Sequence, residues 1–438
     1  MEILKSLMPR ITESLLVDGY HEYGRPRSEW LVGAEFERLF LRGDGSQVAY
    51  FGKAGVGELL RVLSSAKHWE PNYEGENIIG LTGDNRAVTL EPGAQVEFAG
   101  VPHLSLCDLA DEALDNLAEF QKASPSENLW VALGVTPFEQ IEEIGWVPKG
   151  RYQVMRNYLP QRGPMAPVMM KGTTSFQACF DFEDEEDCSR KFDLMLRLSP
   201  LTTAMFANSP IFEGEITGWM SNRGRAWQAT DAARTGFPSQ IRDGYSHQRW
   251  VNYLLDVPMM FYVVDGEWRH AHGKSFRDFM LNGIDGHFPT IEAWDLHQTS
   301  VFPEVRVKKW IEIRGADACK MPLAIAAIAF WKGLLYSDTA LEKALSLTSD
   351  LSNHPESDLI AASKDGLAAT FGGTSALALA RELFTIAEAG LAECDPSATH
   401  LLGPLELQLT KGECPAREVL RLYKSSANRE QFLKMVSY

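Results

Sequence analysis

The chain is short of positive charge, of paired cysteines and of long apolar runs, and each shortage removes a class of function. Lysine and arginine together number 42 against 59 acidic residues, a formal charge of −17. Nucleic-acid phosphates call for basic patches, so DNA and RNA are excluded as partners. A nucleotide held through cations and a few arginines is not excluded. The longest apolar run, residues 321–331, is about half the ~20 residues that a bilayer-spanning helix needs. Cys107, Cys179, Cys188, Cys319, Cys394 and Cys414 show no C-x-x-C spacing, which predicts reduced thiols rather than disulfides or a zinc site. With no charged-then-apolar opening segment, the expectation is a soluble, cytoplasmic protein that contacts neither membrane nor nucleic acid. Its oligomeric state is left open.

Familiar catalytic signatures are missing too. Gly273-Lys274-Ser275 has Trp268 where a phosphate loop needs its first glycine, and Gly52-Lys53 has Gln47 there. No Gly-x-Ser-x-Gly elbow and no strand-following G-x-G-x-x-G occurs. His270-Ala271-His272 reads as a surface pair on a hairpin rather than as metal ligands.

What is present is alternation. In residues 88–98, Val88, Leu90, Pro92, Ala94, Val96 and Phe98 alternate with Thr89, Glu91, Gly93, Gln95 and Glu97. Period two predicts a strand with one face on a core. An acidic row on the open face, beside a glycine that lets backbone approach a ligand, points to cations.

The pattern recurs three times. Residues 32–40 put Gly33, Glu35 and Glu37 on one side. Residues 173–182 set Thr173, Ser175, Gln177, Cys179 and Asp181 against an apolar set. Residues 304–314 set Glu304, Arg306, Lys308, Glu312 and Arg314 against Val305, Val307, Ile311 and Ile313. On one shared sheet, Glu35, Glu37, Glu91, Glu97 and Glu312 converge. Carboxylates at that density repel unless cations lie among them. All-oxygen clusters suit Mg²⁺ or Mn²⁺ and leave coordination positions for phosphates.

Elsewhere, helical spacing predicts helices at residues 1–20, 56–63, 104–122, 184–198 (broken at Pro200), 322–335, 340–347, 374–391 and 416–436. Residues 69–83 read as loop, residues 206–238 as a glycine-rich active-site loop bearing Arg223, Arg225 and Arg234, and Asp265-Gly266 as a two-residue hairpin turn. No linker appears. The fold class is α+β, with a curved antiparallel sheet whose open face is an acidic metal site, helices on the other face and a helical C-terminal quarter. Residues 1–438 make one catalytic domain, with a core of about 30–340 and a helical part from about 340 to 438.

Seven ordered segments carry a resemblance. They are Gly33-Ala34-Glu35-Phe36-Glu37, the run from Thr89 to Gln95, and Gly150-Arg151-Tyr152 with Met155-Arg156-Asn157-Tyr158. Then come Phe206-Ala207-Asn208-Ser209-Pro210, Leu255-Asp256-Val257-Pro258-Met259, Phe302-Pro303-Glu304-Val305-Arg306, and Glu312-Ile313-Arg314-Gly315-Ala316-Asp317. In these the chain resembles the plant and proteobacterial glutamate–cysteine ligases, carboxylate–amine ligases related to glutamine synthetase.

The resemblance implies ATP- and Mg²⁺-dependent joining of the γ-carboxylate of L-glutamate to L-cysteine through γ-glutamyl phosphate, within glutathione biosynthesis. It implies two or three Mg²⁺ on Glu35, Glu37, Glu91, Glu97, Glu312 and the neutral Gln177. Arg314 and Arg223 take catalytic roles, with Arg314, Gln95 and Asn77 near the nucleotide. Arg223, Arg234, Trp227, Cys179, Tyr253, Met155 and Asn157 line the substrates. Four residues depart from the family pattern: Gly172 (with Lys171 beside it as a possible substitute) for Arg, Cys179 for Asn, Arg225 for His, and Gln298 for Leu. These leave the acceptor open between cysteine and an analogue. The alternatives are a specialised γ-glutamyl ligase using another amino acid and a non-catalytic nucleotide-binding relative.

Overall fold

The computed structural model describes residues 11–242, 244–351 and 355–438. Nine strands form one open sheet: β1 (Val32–Arg42), β2 (Glu70–Glu74), β3 (Asn77–Gly83), β4 (Arg86–Leu90), β5 (Val96–Ala99), β6 (Asn128–Val131), β7 (Phe176–Phe180), β8 (Val305–Val307) and β9 (Ile311–Ile313). Their order is β8-β9-β7-β1-β5-β4-β3-β2, with β6 paired to the far end of β1. The pairings are antiparallel throughout.

The alternation read in β1 holds. Val32, Ala34 and Phe36 point into the core while Gly33, Glu35 and Glu37 stay partly open. The apolar face is covered by α3 (Leu106–Ala123), α6 (Glu185–Phe206) and α9 (Met321–Leu335). The other elements that matter below are α1 (Glu13–His21), α2 (Val56–Ser64), α4 (Gly150–Tyr158), α5 (Ala166–Gly172), α7 (Asn222–Gln228) and α8 (His247–Asp256). Helices beyond residue 340 join the same apolar cluster through Leu341, Leu359, Leu383 and Leu405.

Two expected strands are hairpins. Residues 88–98 run up β4, turn, and return along β5, so Thr89 faces Glu97. Within the turn Ala94 adopts φ +72°, the Glu91 N–H donates to the Gln95 carbonyl at 2.9 Å, and the Ala94 N–H donates to that of Glu91 at 2.9 Å. Residues 304–314 fold back in the same way, which sets Arg306 opposite Glu312. In both, the apolar phase of the outgoing strand matches that of the returning one, so a single strand and a hairpin read alike.

Residues 69–83 are not loop but the β2–β3 hairpin, turned at Gly75, whose φ is +59°. Pro200 does not end its helix, because α6 continues to Phe206. The carbonyls around it are taken up locally: Ser199 Oγ donates to Met195 at 2.9 Å and Thr202 Oγ1 to Leu198 at 3.1 Å. The expected loop at 206–238 contains α7, capped by Ser221 Oγ, which accepts from the Gly224 N–H at 2.8 Å. Helices Pro355–Asp365 and Gly403–Lys411 were not anticipated, and residues 416–436 divide into Pro415–Ser425 and Arg429–Val436. The Asp265-Gly266 hairpin forms as read, with φ of +53° and +80°. Of the expected first helix, residues 1–10 lie outside the described residues, and the rest is α1.

Candidate active site

The open face of the sheet carries a cavity of about 280 Å³. Glu35 and Glu37 reach it from β1, Glu91 from the β4–β5 turn, Glu97 from β5 and Gln177 from β7. Strand register builds this wall, since Glu37 pairs with Glu97 and Glu35 with Gln177. Arg151, Arg306, Lys308 and Arg314 line the same space, together with Lys149, Tyr152, Met155, Trp227 and Phe302. Acid and base thus stand around one volume sized for small molecules.

The turn that presents Glu91 is bolted to its surroundings. A Cβ at Gly93 would collide with the Lys171 carbonyl, so only glycine lets the turn sit against α5. Gln95 accepts from the Gly93 N–H at 3.0 Å and donates to the Thr173 carbonyl at 2.9 Å. Gln47 Nε2 donates to the Gly93 carbonyl. Gln95, expected at the nucleotide, is therefore a fully buried brace for the hairpin.

The carboxylates are held differently. Glu37 Oε2 accepts from the Ser175 N–H at 2.7 Å and from its hydroxyl at 3.0 Å, and Oε1 accepts from Gln177 Nε2 at 3.3 Å. Glu97 accepts from Thr89 Oγ1 at 2.8 Å. Burial first, then the neighbouring Glu97 and Glu312 charges, pushes Glu35 up to about 7. Burial, then Glu91 and Glu97, pushes Glu37 up to about 8. Glu97 is raised by burial and by Glu91.

Glu312 goes the other way. Burial would raise it, but Arg306, Arg314 and Lys308 outweigh burial and hold it well below the ordinary carboxylate range. Arg306 grips it with two bonds of 2.9 Å, and Arg314 Nη1 bonds both Glu312 and Gln177. Expected among the metal ligands, Glu312 is instead fully buried and neutralised by arginines behind the cavity wall.

Burial and mutual repulsion raise Glu35, Glu37 and Glu97 together, and an all-oxygen donor set crowded in this way suits divalent cations. The cavity also leaves buried donors unmet: among the described residues, Arg151 Nε and Trp227 Nε1 have no hydrogen-bond partner. Both observations fit divalent cations with an anionic ligand.

Several expected substrate residues do not reach the cavity. Arg234 is fully buried, paired with Asp231 at 2.7 Å and donating to the carbonyls of Ser300 at 2.9 Å and Pro258 at 2.5 Å. It ties three loops together and has no fork left for a ligand. Replacing it with alanine should cost about 3–5 kcal/mol of stability, the range for breaking a buried pair. Denaturant unfolding would show this, with substrate KM unchanged in the folded fraction. Tyr253 is buried with its hydroxyl on the Ala233 carbonyl at 3.2 Å. Asn157 is exposed on α4, where its carbonyl caps Gln161, and Asn77 ends the β2–β3 turn. None of the three lines the cavity. Arg223 lies just behind Trp227, 5.5 Å from its ring, and donates to the Arg314 carbonyl at 2.7 Å. Met155 and Trp227 line the cavity.

The four departures also fall outside the cavity lining. Cys179 is only 7% exposed, set in register between Gly33 and Glu312. It was expected to line a substrate and is not part of the cavity lining. Lys171 donates to the Ile144 carbonyl at 2.9 Å and substitutes for no cavity arginine. Gln298 accepts from Tyr20 at 2.6 Å, and Arg225 packs over Trp219.

Against known proteins, the model of Glutamate-cysteine ligase family 2 matches residues 31–435. A chloroplastic glutamate–cysteine ligase A of Oryza sativa subsp. indica is 33% identical over 412 residues, covering 92% of this chain and 83% of that protein. This chain belongs to the glutamate–cysteine ligase family. The Nicotiana tabacum chloroplastic enzyme is 34% identical over 92% of the chain and 78% of its own length. A solved glutamate–cysteine ligase of Francisella tularensis, in complex with AMP, shares the fold at TM-score 0.59 and 15% identity, over 93% of this chain and 87% of that one.

ATP-dependent ligation is the general activity of the glutamate–cysteine ligase family. The plant ligases carry chloroplastic names, which overturns the cytoplasmic location expected from reduced thiols. A reducing plastid and a reducing cytosol leave the same cysteine pattern. Among the described residues no helix is long and apolar enough to cross a membrane.

Sequence reasoning gave no role to Lys149. Its amine donates to the Leu90 carbonyl at 2.9 Å and lines the cavity, and burial lowers it to about 8 against the pull of Glu91. It precedes the α4 motif Gly150-Arg151-Tyr152 directly, which was the one available signal.

Proposed function

We propose that this chain joins the γ-carboxylate of glutamate to the amine of cysteine at the expense of ATP, within glutathione biosynthesis, acting as one catalytic unit. The observation that carries this reading is one cavity lined by Glu35, Glu37, Glu91 and Glu97 together with Arg151, Arg306, Lys308 and Arg314. All four departures lie outside that lining, which supports cysteine as the acceptor.

Glu35, Glu37, Glu91 and Glu97, with Gln177, would hold Mg²⁺. Bound there, the ions would offset phosphate charge and polarise the γ-phosphoryl group. Glutamate's γ-carboxylate oxygen attacks the γ-phosphorus of ATP and ADP leaves. The amine of cysteine then attacks the acyl carbon, expels phosphate and loses a proton. Both steps build negative charge on phosphoryl oxygens, and Arg314 and Arg151 stand ready to stabilise it without reorganising. Arg306 holds Glu312, and that pairing fixes Arg314 at the cavity edge.

The amino acid test is direct. With Mg²⁺, ATP and glutamate present, cysteine should give the fastest ADP release among single amino acids. A faster rate with another acceptor would favour the specialised ligase, and no release with any acceptor would refute ligation.

The carboxyl pKa values set a pH dependence. Unfolded, Glu35 and Glu37 ionise near 4.5, whereas folded and metal-free they ionise near 7 and 8. The native state therefore keeps protons that the unfolded state has lost, and metal-free stability falls as pH rises from about 4.5 through 8. A cation has to displace those protons, so the apparent Mg²⁺ affinity should rise from pH 6 to about 8 and level off above. Calorimetry in buffers of different ionisation enthalpy would count the protons released. A flat affinity over that range would contradict the assignment.

A further inference from the structure

We propose that His21, Glu185 and His247 form a second metal site, for a borderline ion such as Zn²⁺, distinct from the acidic cavity. His21 is the last residue of α1, Glu185 the first of α6 and His247 the first of α8. One ligand atom from each lies within 4.8 Å of the other two. The two imidazoles meet edge to face, with centroids 4.7 Å apart.

His247 supplies the second observation. It is 1% exposed, and its Nδ1 is 2.8 Å from the Tyr245 hydroxyl, yet among the described residues its Nε2 has no hydrogen-bond partner. A buried ring nitrogen without a partner is uncommon in a folded protein. A metal ion accounts for it. In the tautomer with Nδ1–H donating to Tyr245, the Nε2 lone pair is free to ligate, an outer bond of the kind that orients metal-bound histidines. The Tyr245 hydroxyl can serve as acceptor because it has Cys188 as its own partner. Glu185 is held as well, its Oε1 accepting from the His247 N–H at 2.7 Å. Burial keeps the His247 ring neutral, with its pKa lowered to about 4.

The donor set selects the ion. Two imidazoles and one carboxylate suit Zn²⁺ or Co²⁺, whereas Mg²⁺ prefers an all-oxygen shell. Bonds of about 2.1 Å in a tetrahedron put ligand atoms about 3.4 Å apart, so the cluster has to close by roughly 1 Å. His21 is exposed at a helix end and can swing to close it. Three protein ligands leave a fourth position for water. The ion would pin the C-terminal end of α1 to the starts of α6 and α8. None of the three residues lines the acidic cavity, so this proposal does not depend on the ligase reading.

The test uses the full chain, stripped by chelator and titrated with Co²⁺ while excess Mg²⁺ fills the acidic cavity. The expected result is one equivalent of Co²⁺ with the visible bands of a four-coordinate ion, displaced by Zn²⁺. His21→Ala, a change at an exposed position, and Glu185→Gln should each weaken binding at least tenfold, and Tyr245→Phe by about 10- to 100-fold. Mg²⁺-supported turnover should be unchanged in His21→Ala. The His270→Ala/His272→Ala double variant should bind as wild type does. The proposal is overturned if no Co²⁺ binds under Mg²⁺ excess, if His21→Ala and Glu185→Gln bind normally, or if the His270/His272 variant loses the ion.

Discussion

Glu91→Gln should lower turnover by about 100- to 1,000-fold at ordinary Mg²⁺, the cost of losing one preorganised charge at a reacting phosphoryl group. The fold should survive. Glu91 holds the β4–β5 turn through its backbone, donating to Gln95 and accepting from Ala94, each at 2.9 Å, and glutamine leaves both bonds in place. Its side chain lines the cavity and, among the described residues, has no arginine partner, unlike that of Glu312, which makes it the cleanest position for removing one cation ligand. Activity that recovers partly at high Mg²⁺, with an unchanged melting temperature, is the expected pair of results. Normal kcat at ordinary Mg²⁺ would remove Glu91 from the cation cluster.

A larger effect is expected at Arg314. Arg314→Ala takes away a fixed cation whose Nη1 bridges Gln177 and Glu312 at the cavity edge. Arginines in this position at transferring phosphoryl groups are worth about 10³–10⁵ in kcat, so turnover should fall by at least a thousandfold while KM for glutamate changes little. Stability should fall less than for an ordinary buried pair, because Arg306 keeps both of its 2.9 Å bonds to Glu312. Single-turnover kinetics separates the two contributions. A rise in KM with kcat intact would make Arg314 a binding residue alone.

How much of this was legible in the sequence depended on the residue. The alternation of Glu35 and Glu37 against Ala34 and Phe36 was readable because a sheet with one buried face forces period two. It placed four of the five acidic residues, and Gln177, on the cavity. The two hairpins were hidden because Leu90 faces Val96 across one turn and Val307 faces Ile311 across the other, so the apolar phase runs on unbroken. Lys149 was hidden because a backbone carbonyl holds it, and no side-chain pattern records a carbonyl.

The arginines were the hardest to sort. Arg234 and Arg314 look alike in a motif, yet one is sealed among the carbonyls of Ser300 and Pro258 and the other opens on the cavity. Tertiary packing decides between them. Cys179 was placed on the correct face but at the wrong depth, because register shows which side a residue takes and not what covers it.

Oxygen transfer tests the central claim most directly. Glutamate labelled with ¹⁸O in its γ-carboxylate is turned over with ATP and cysteine, and the released phosphate is weighed by mass spectrometry. Activation by phosphorylation predicts one ¹⁸O per phosphate, carried from the carboxylate when cysteine's amine breaks the acyl bond. Unlabelled phosphate, formed with ADP and γ-glutamylcysteine at equal rates, would contradict the account.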